Sequence, residues 1–220
     1  MLTKDDYAKA FHEIKNSITI IRSSLQLLEK QHPEIAEFEY WQDSQESLGY
    51  LSKMVLELSQ ARLASDFTMK PVDLNSLLDH VLFSIRGVCA NKDFHCECQI
   101  NPALPAILAD SFRLTQAIIN LMKNSYEAMN EGGNIILKAY PIDQFVRIEI
   151  IDFGGGIQPE YQQKLFTPFC TSKQNGTGLG LSITRQIVES HNGTLEYESR
   201  TGDGCTFTIQ LPALESSIQK

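Results

Sequence analysis

Apolar residues in the first part of the chain recur every three or four positions, the period of an α-helix. The series runs at spacings of 4, 3, 4, 3, 4 and 3 through Tyr7, Phe11, Ile14, Ile18, Ile21, Leu25 and Leu28. A heptad stripe of this length is typical of a helix that packs along another helix. The stripe ends before Pro33, which disfavours a helical conformation at His32. A second helix is predicted from about Ile35, with its own stripe at Leu48, Leu51, Val55 and Leu58.

Beyond about residue 67 the pattern switches between helical and strand periods. Helices are predicted over 74–92, 110–131 and 179–192, and strands over 94–100, 132–140, 145–152, 193–199 and 204–211. Asp110 is the expected N-cap of the long middle helix. We expect the strands 132–140 and 145–152 to pair antiparallel and the last two strands to form a hairpin.

These elements predict an α+β fold in two domains. Residues 1–67 would form a helical hairpin, and residues 68–220 an α/β sandwich in which helices cover one face of a mixed sheet. A single hairpin cannot bury both of its apolar stripes well. We therefore expect two chains to form a four-helix bundle, and hence a homodimer. The alternative is that the hairpin packs against the rest of its own chain.

Composition narrows the function classes only mildly. The chain of 220 residues is 42% hydrophobic and 21% charged, with a formal net charge of −8, which argues against a nucleic-acid or anionic-membrane partner. No apolar run approaches the roughly 20 residues of a membrane helix, and the polar start MLTKDDYAKA does not resemble a signal peptide. A cytoplasmic location is therefore expected.

The five cysteines are scattered, which is typical of reduced thiols. His95, Cys96 and Cys98 raise the alternative of a zinc site. However, HCECQI also alternates like a strand, and no second ligand pair follows at zinc-finger spacing. The strand is the favoured interpretation.

Two asparagines, Asn120 and Asn124, lie four residues apart on the long predicted helix and so share one face. Their carboxamide oxygens are hard, neutral ligands that suit Mg²⁺. Taken alone, the pair fits better with solvent-facing residues of an ordinary helix.

The stretch DFGGGI follows a predicted strand. Asp152 at the strand end can accept a hydrogen bond from an exocyclic amine such as that of adenine. Gly154 and Gly156 would let the backbone approach a flat ring closely. The alternative is a simple turn, for which this composition is common.

The stretch NGTGLGLSI leads directly into the last predicted helix. Backbone N–H groups at such a helix start can hold phosphates, and Lys173 just upstream would add positive charge. A glycine-rich turn is weak evidence by itself. It is not a P-loop, because the sequence G-K-[ST] is absent.

In their order along the chain, these motifs resemble the catalytic core of a bacterial sensor histidine kinase. NLMKNSYEAM resembles the N box, DFGGGI the G1 box, LFTPFCTSK the F box and GTGLGL the G2 box of the ATP-binding (GHKL, or Bergerat) domain shared by histidine kinases, gyrase, Hsp90 and MutL. FHEIKN resembles the H box of the dimerisation and phosphoacceptor domain. The resemblance covers nearly the whole chain.

The resemblance implies that the chain binds ATP and Mg²⁺. Asn124 would hold Mg²⁺, Asn120 would lie near the phosphates, and Asp152 would read the adenine amine. The remaining cofactor-binding positions implied are Gly154, Gly156, Lys173, Gly176, Thr177, Gly178, Leu179 and Gly180. Phe166 and Phe169 would anchor a lid, or simply pack in the core.

With Phe11 at heptad position a, three polar residues face away from the bundle seam: His12 at b, Glu13 at c and Asn16 at f. The resemblance implies that ATP phosphorylates His12, that Glu13 takes a proton from the ring, and that a response-regulator aspartate then receives the phosphoryl group. Asn16 would orient water in a phosphatase reaction on that partner. Ser17 stands where the family often has proline, which predicts a straighter first helix.

Three rival functions remain. ATP hydrolases of the gyrase or MutL type carry a glutamate base four residues before the Mg²⁺ asparagine, whereas this chain has Asn120, whose amide cannot take a proton. Serine kinases that act on anti-sigma-factor partners lack the H-box hairpin that residues 1–66 resemble. A non-enzymatic dimeric adaptor is the third, and only nucleotide binding and turnover distinguish it.

Overall fold

The computed structural model describes residues 4–38, 40–63, 67–89, 94–129, 132–173 and 176–214. Within the helices, the side chains of residues 4–12, 15, 53, 56–63 and 87–89 lie outside that description. The chain divides into two compact units. The first comprises residues 1–65 and 171–179, and the second comprises residues 66–170 and 180–220.

The first unit contains two long helices that contact each other, α1 (Lys4–Gln31) and α2 (Trp41–Leu63). The prediction that the second helix begins near Ile35 is wrong. Pro33–Glu37 instead forms a short 3-10 helix, which has proline in its first turn and ends at Phe38 in an extended conformation. Extended backbone cannot continue a helical hydrogen-bond ladder, so α2 starts afresh at Trp41.

Helix α1 runs without interruption through the H-box region. The Ser17 hydroxyl donates a hydrogen bond of 2.9 Å to the Glu13 carbonyl, the contact that a serine commonly makes one turn back in a helix. A proline would have removed the backbone donor here. The helix thus keeps its regular backbone at the point where the family sequence often breaks it.

The heptad stripe of α1 remains substantially exposed in a single chain. Ile14, Ile21 and Leu28 keep 45%, 49% and 41% of their surface exposed, and Leu51 of α2 keeps 48%. An apolar stripe of this length on a helix surface is a common basis for association with another helix.

The second unit holds the remaining elements. Its helices are α3 (Leu74–Cys89), α4 (Ser111–Ala128), α5 (Pro159–Gln162) and α6 (Gly180–Ser190). Its strands are β1 (Lys70–Val72), β2 (Phe94–Ile100), β3 (Ile107–Ala109), β4 (Gly133–Ile142), β5 (Phe145–Asp152), β6 (Thr194–Arg200) and β7 (Gly204–Pro212).

Five strands form one mixed sheet in the order β2-β4-β5-β7-β6. β2 pairs parallel with β4, and the other neighbours pair antiparallel, including the predicted β4–β5 pair and β6–β7 hairpin. β1 and β3 form a separate antiparallel pair that was not predicted. Strands of three residues are too short for an alternating pattern to be recognised.

Alternation along the strands explains why helices cover one face of this sheet. Val146, Ile148 and Ile150 of β5 are completely buried, whereas the residues between them are only half-buried. Helix α4 contacts α3, α6, β4 and β5 and supplies four completely buried apolar side chains, Leu114, Ile118, Leu121 and Met122. The predicted α+β sandwich is confirmed.

The HCECQI stretch forms strand β2, as favoured over a zinc site. Cys96, Cys98, Cys170 and Cys205 form no disulfide bonds. Among the described residues, no group of three or more histidine, cysteine or acidic side chains is placed to hold a metal ion. In the same part of the chain, no helix combines the length and the apolar character needed to cross a bilayer.

Asp110 is the N-cap of α4, as predicted. One carboxylate oxygen, Oδ1, accepts a hydrogen bond of 3.1 Å from the Arg113 N–H, and Oδ2 accepts one of 3.0 Å from the Thr68 N–H. Burial alone would raise the pKa of Asp110, but these two N–H groups and the Arg113 charge outweigh it, so the pKa is lowered. The cap thus also fixes the segment that leads into β1.

We expect Asp110→Ala to lower the free energy of unfolding by about 1–2 kcal/mol at neutral pH, because the cap and the bond to Thr68 are lost. Asp110→Asn should keep most of that stability, since asparagine caps helices equally well. The lowered pKa means that the carboxylate stabilises the fold above its unfolded pKa of about 4, and that this contribution disappears as pH falls through the folded pKa. Urea unfolding from neutral to acidic pH should therefore be less acid-sensitive in Asp110→Asn than in the wild type. Equal acid sensitivity would contradict the assignment.

Candidate nucleotide-binding site

Two hydrogen bonds show that α4 and α6 run antiparallel. The Asn120 Nδ2 in the middle of α4 donates to the Thr184 Oγ1 near the start of α6, at 2.9 Å. The Asp110 N–H at the start of α4 donates to Nε2 of His191, just beyond the end of α6, at 2.9 Å. The N-terminus of α6, with its partial positive charge, therefore faces the asparagine-bearing half of α4.

His191 maintains this arrangement from inside the core. Its ring is 98% buried, its edge faces the Phe67 ring at a centroid distance of 5.3 Å, and its Nδ1 lies 2.7 Å from the Ile187 carbonyl. Because Nε2 accepts the Asp110 N–H, the proton must sit on Nδ1, which donates to Ile187. A neutral histidine thereby joins the end of α6 to the start of α4.

Gly180 begins α6 directly against Asn120. A Cβ at position 180 would lie 2.6 Å from the Asn120 Oδ1 and 3.0 Å from its Nδ2. The hydrogen bond to Thr184 fixes the Asn120 amide, so it cannot easily move aside. Only glycine permits this close approach of the two helices.

At the C-terminal end of α4, the same helix face contacts the G1 stretch DFGGGI. Ala128 lies eight residues beyond Asn120, and its carbonyl oxygen would lie 2.7 Å from a Cβ at Gly154. Asn120, Asn124 and Ala128 therefore form one stripe of about 12 Å along the helix, with the half-buried Asn124 in the middle. The stripe connects the start of α6 to the loop after β5.

Asp152, at the end of β5, is only 3% exposed. Its Oδ1 accepts hydrogen bonds from the Gly154 N–H at 3.1 Å and the Cys205 N–H at 3.2 Å. Burial, with a further contribution from the Asp152 charge, raises the pKa of the Cys205 thiol to about 12, so this thiol stays protonated at neutral pH. The carboxylate is thus held in one orientation, which suits it to accept a hydrogen bond from a ligand amine.

Gly156 also has a structural reason to be glycine. Its φ of +68° is in the left-handed region, and a Cβ would collide with the Arg200 carbonyl. The protein's own backbone therefore leaves no room for a side chain at Gly154 or Gly156, whatever ligand these residues also approach.

The G2 residues before α6 belong to the first unit. The Gly176 N–H donates to the Lys173 carbonyl at 3.1 Å, and the Leu179 N–H lies 3.4 Å from the Thr177 hydroxyl. Thr177 and Leu179 are buried, whereas Lys173 is exposed. Gly178 has a φ of +67° and completes the turn.

The two F-box phenylalanines differ in their surroundings. The Phe166 ring packs edge-to-face on Tyr197 at a centroid distance of 5.8 Å, and the Arg185 guanidinium lies 5.1 Å from the Phe166 ring centroid. Phe169 is 56% exposed and has a φ of +65°. Core packing thus accounts for Phe166 but not for Phe169.

The H-box residues lie on α1. The backbone of His12 is helical, and its side chain falls outside the described part of the chain. Glu13 and Asn16 are exposed. Sequence reasoning missed Thr184 and His191, because each is separated by more than 60 positions from the α4 residue that it bonds, and no local pattern reports such pairs.

Comparison with known proteins decides the family. Residues 109–215 match the family of histidine kinase-, DNA gyrase B- and HSP90-like ATPases. The catalytic domain of the histidine kinase ThkA is 33% identical, with a TM-score of 0.59, and the match covers 66% of this chain and 95% of that domain. This chain belongs to the histidine kinases.

This chain spans only part of the length of three other relatives. The sensor histidine kinase ZraS of Escherichia coli K12 is 33% identical over 91% of the chain, which spans 43% of ZraS. The sensory histidine kinase/phosphatase NtrB of Vibrio alginolyticus is 34% identical over 92% of the chain, which spans 60% of NtrB. Full-length ShkA in complex with AMPPNP has a TM-score of 0.76 and 25% identity, covering 96% of this chain and 46% of ShkA.

We expect Asp152→Asn to separate folding from nucleotide binding in this kinase. The amide keeps an oxygen for the N–H groups of Gly154 and Cys205, so thermal stability should change little. Its NH₂ group replaces the second carboxylate oxygen and cannot accept from an adenine amine, so affinity for a fluorescent ADP analogue should fall about tenfold or more. Asp203→Asn, in the exposed β6–β7 turn, is the matched control. Unchanged affinity in Asp152→Asn would contradict this role.

Proposed function

We propose that this chain is the catalytic part of a two-component sensor histidine kinase, which uses ATP to phosphorylate His12 and then transfers the phosphoryl group to an aspartate of a response regulator. The observation that carries the proposal is the α4 stripe. It connects the fixed carboxylate of Asp152, through Gly154 and Ala128, to the start of α6 at Gly180. An amine acceptor at one end and a helix N-terminus at the other suit the base and the phosphates of one nucleotide.

In this proposal, residues along the stripe bind different parts of ATP. Asp152 accepts from the adenine amine, and the N–H groups at the start of α6 hold phosphate oxygens. Asn124, between them, supplies a carboxamide oxygen suited to Mg²⁺, which when bound neutralises charge on the transferring phosphoryl group. Five residues just before α6, Lys173, Gly176, Thr177, Gly178 and Leu179, complete the proposed phosphate and lid segment.

In the proposed transfer, a ring nitrogen of His12 forms a bond to the γ-phosphorus as the bond to the β–γ bridging oxygen breaks and ADP leaves. Glu13, the next residue on α1, accepts the ring proton. The response-regulator aspartate then attacks the same phosphorus, and His12 is restored. A heptad position away from the apolar stripe suits this chemistry, because two different protein surfaces must reach one nitrogen.

We propose that residues 1–67 act as the dimerisation and phosphotransfer domain and residues 68–220 as the ATP-binding domain. The exposed stripe of Ile14, Ile21 and Leu28 supports association of two hairpins in a four-helix bundle. The absence of disulfide bonds among the four described cysteines, together with ATP as substrate, supports a cytoplasmic location for this part of the protein.

Asn120 bears on the rival hydrolase function. It occupies the position of the catalytic glutamate of gyrase-type ATPases, but an amide cannot take a proton from water. Its Nδ2 is also engaged by Thr184. Slow hydrolysis and transfer to a placed nucleophile are therefore favoured over an ATPase, and the intact stripe favours a kinase over a non-catalytic adaptor.

Incubation with γ-labelled ATP and Mg²⁺ tests the kinase. Wild type should acquire acid-labile, alkali-stable label, and His12→Ala and Asn124→Ala should both lose it, because one removes the acceptor and the other the metal ligand. His32→Ala, which changes an exposed histidine of the first unit, should label normally. Label that survives His12→Ala would place the acceptor elsewhere, and wild type that binds ATP without labelling would favour an adaptor.

We further propose a phosphatase activity that depends on Asn16. This residue lies one helical turn beyond His12, is exposed, and carries a carboxamide that can orient water against a phospho-aspartate. The NtrB relative, a kinase/phosphatase, supports the proposal.

Asn16→Ala should keep autophosphorylation and lose dephosphorylation of the phosphorylated regulator, because the acceptor histidine and its neighbouring acid are untouched. The assay follows loss of label from the purified phospho-regulator with ADP present. Loss of both activities, or of neither, would count against this assignment.

A further inference from the structure

We propose that the hydrogen bond between Asn120 and Thr184 is a positioning contact. It fixes the first turn of α6 at a defined position along α4, so that phosphates bound by α6 would lie close to Asn124, the proposed metal ligand. The inference rests on the proposed function. It gives Asn120 a role that acts through α6, whereas the sequence alone suggested a place near the phosphates.

Both polar atoms of the Asn120 side-chain amide face α6. The Asn120 Nδ2 donates to the Thr184 Oγ1 at 2.9 Å, and its Oδ1 lies against the position where a Gly180 side chain would begin. Gly180 and Thr184 are four residues apart and so share one face of the first turn of α6. The amide is therefore inserted against the first turn of α6, the end of the helix that carries partial positive charge.

The surroundings of this hydrogen bond largely exclude water. Thr184 is only 1% exposed, and Asn120 is half-buried, so water competes poorly for the pair. Removing the acceptor leaves a partly buried amide donor unpaired, which is costlier than losing an exposed bond. A shift of the first turn of α6 along α4 is then favoured, because Asn120 no longer holds it.

Such a shift has a specific consequence for ligand binding. The base is read by Asp152 on β5, which does not depend on the start of α6. Asn124 on α4 would hold the metal, and the start of α6 would hold the phosphates whose charge the metal neutralises. Misplacing α6 relative to α4 therefore weakens binding of the phosphates, most of all the gain in nucleotide affinity that Mg²⁺ provides, and leaves binding of the base alone unchanged.

The test compares Thr184→Val, which keeps the shape but removes the hydroxyl, with Thr184→Ser, which keeps the hydroxyl. Thr208→Val on β7 is the matched control, since its side chain lies on the sheet face away from the core helices. The probes are AMPPNP, titrated with and without Mg²⁺, and adenosine, which carries the base without phosphates. Thermal unfolding and the rate constant of autophosphorylation at increasing ATP concentration are measured on the same proteins.

We expect Thr184→Val to reduce the magnesium-dependent gain in AMPPNP affinity about tenfold, to reduce metal-free AMPPNP affinity less, and to leave adenosine affinity unchanged, and we expect Thr184→Ser to restore the gain. The rate constant of labelling at saturating ATP should fall by a similar factor. A lowered melting temperature with an unchanged magnesium gain would show that the contact only packs two helices, and would overturn the inference.

The two proposals can fail separately. If wild type binds AMPPNP with a magnesium gain that Thr184→Val loses, but no protein is labelled, the kinase proposal fails and the positioning contact stands. If labelling depends on His12 but the gain is identical in all three variants, the kinase stands and the positioning contact is wrong. Wild type with no magnesium gain overturns the positioning contact directly.

Discussion

The packing of α4 between the sheet and two other helices is the constraint on which the second unit depends. Leu114, Ile118, Leu121 and Met122 are fully buried on one side of it, and each contributes about 1.5–3 kcal/mol of hydrophobic stabilisation relative to exposure. With that side fixed in the core, the rotation of the helix about its axis is fixed as well. The polar stripe that bears Asn120 and Asn124 can then face only α6 and the loop after β5.

Two close contacts at opposite ends of the polar stripe leave little room for the start of α6 and the loop after β5 to shift. Glycine is required at Gly180, where α6 begins against Asn120, and at Gly154, where the loop after β5 meets the carbonyl of Ala128. At either position a methyl group would push apart two elements that line the candidate nucleotide site. Backbone proximity, more than any added charge, gives this site its shape.

Much of this architecture could be predicted from the sequence. The α4 pattern, the cap at Asp110 and the β4–β5 and β6–β7 pairs were correct because each depends on residues near one another in the chain. The start of α2 was wrong because Pro33 fits a short 3-10 helix as well as a turn. Strands β1 and β3 carry too few residues to show a period.

The candidate site was predictable as a set of motifs but not as a geometry. Asp152 and the glycines stood out locally, whereas the partners that fix them come from distant segments, such as Cys205 for Asp152 and Thr184 for Asn120. Glycine composition suggested close approach of a ligand ring. The structure adds that Gly156 must avoid the Arg200 carbonyl, a tertiary contact that no single stretch reveals.

The dependence of Asp152 on Cys205 also orders events during synthesis. Strand β5 can pair with β4 as soon as both leave the ribosome, but its other neighbour, β7, follows α6 and β6 in the chain. Because domains fold as their segments emerge from the N-terminus, the carboxylate gains its second backbone donor only when the final hairpin is released. A nascent chain therefore contains helix α1 well before the candidate nucleotide site is complete.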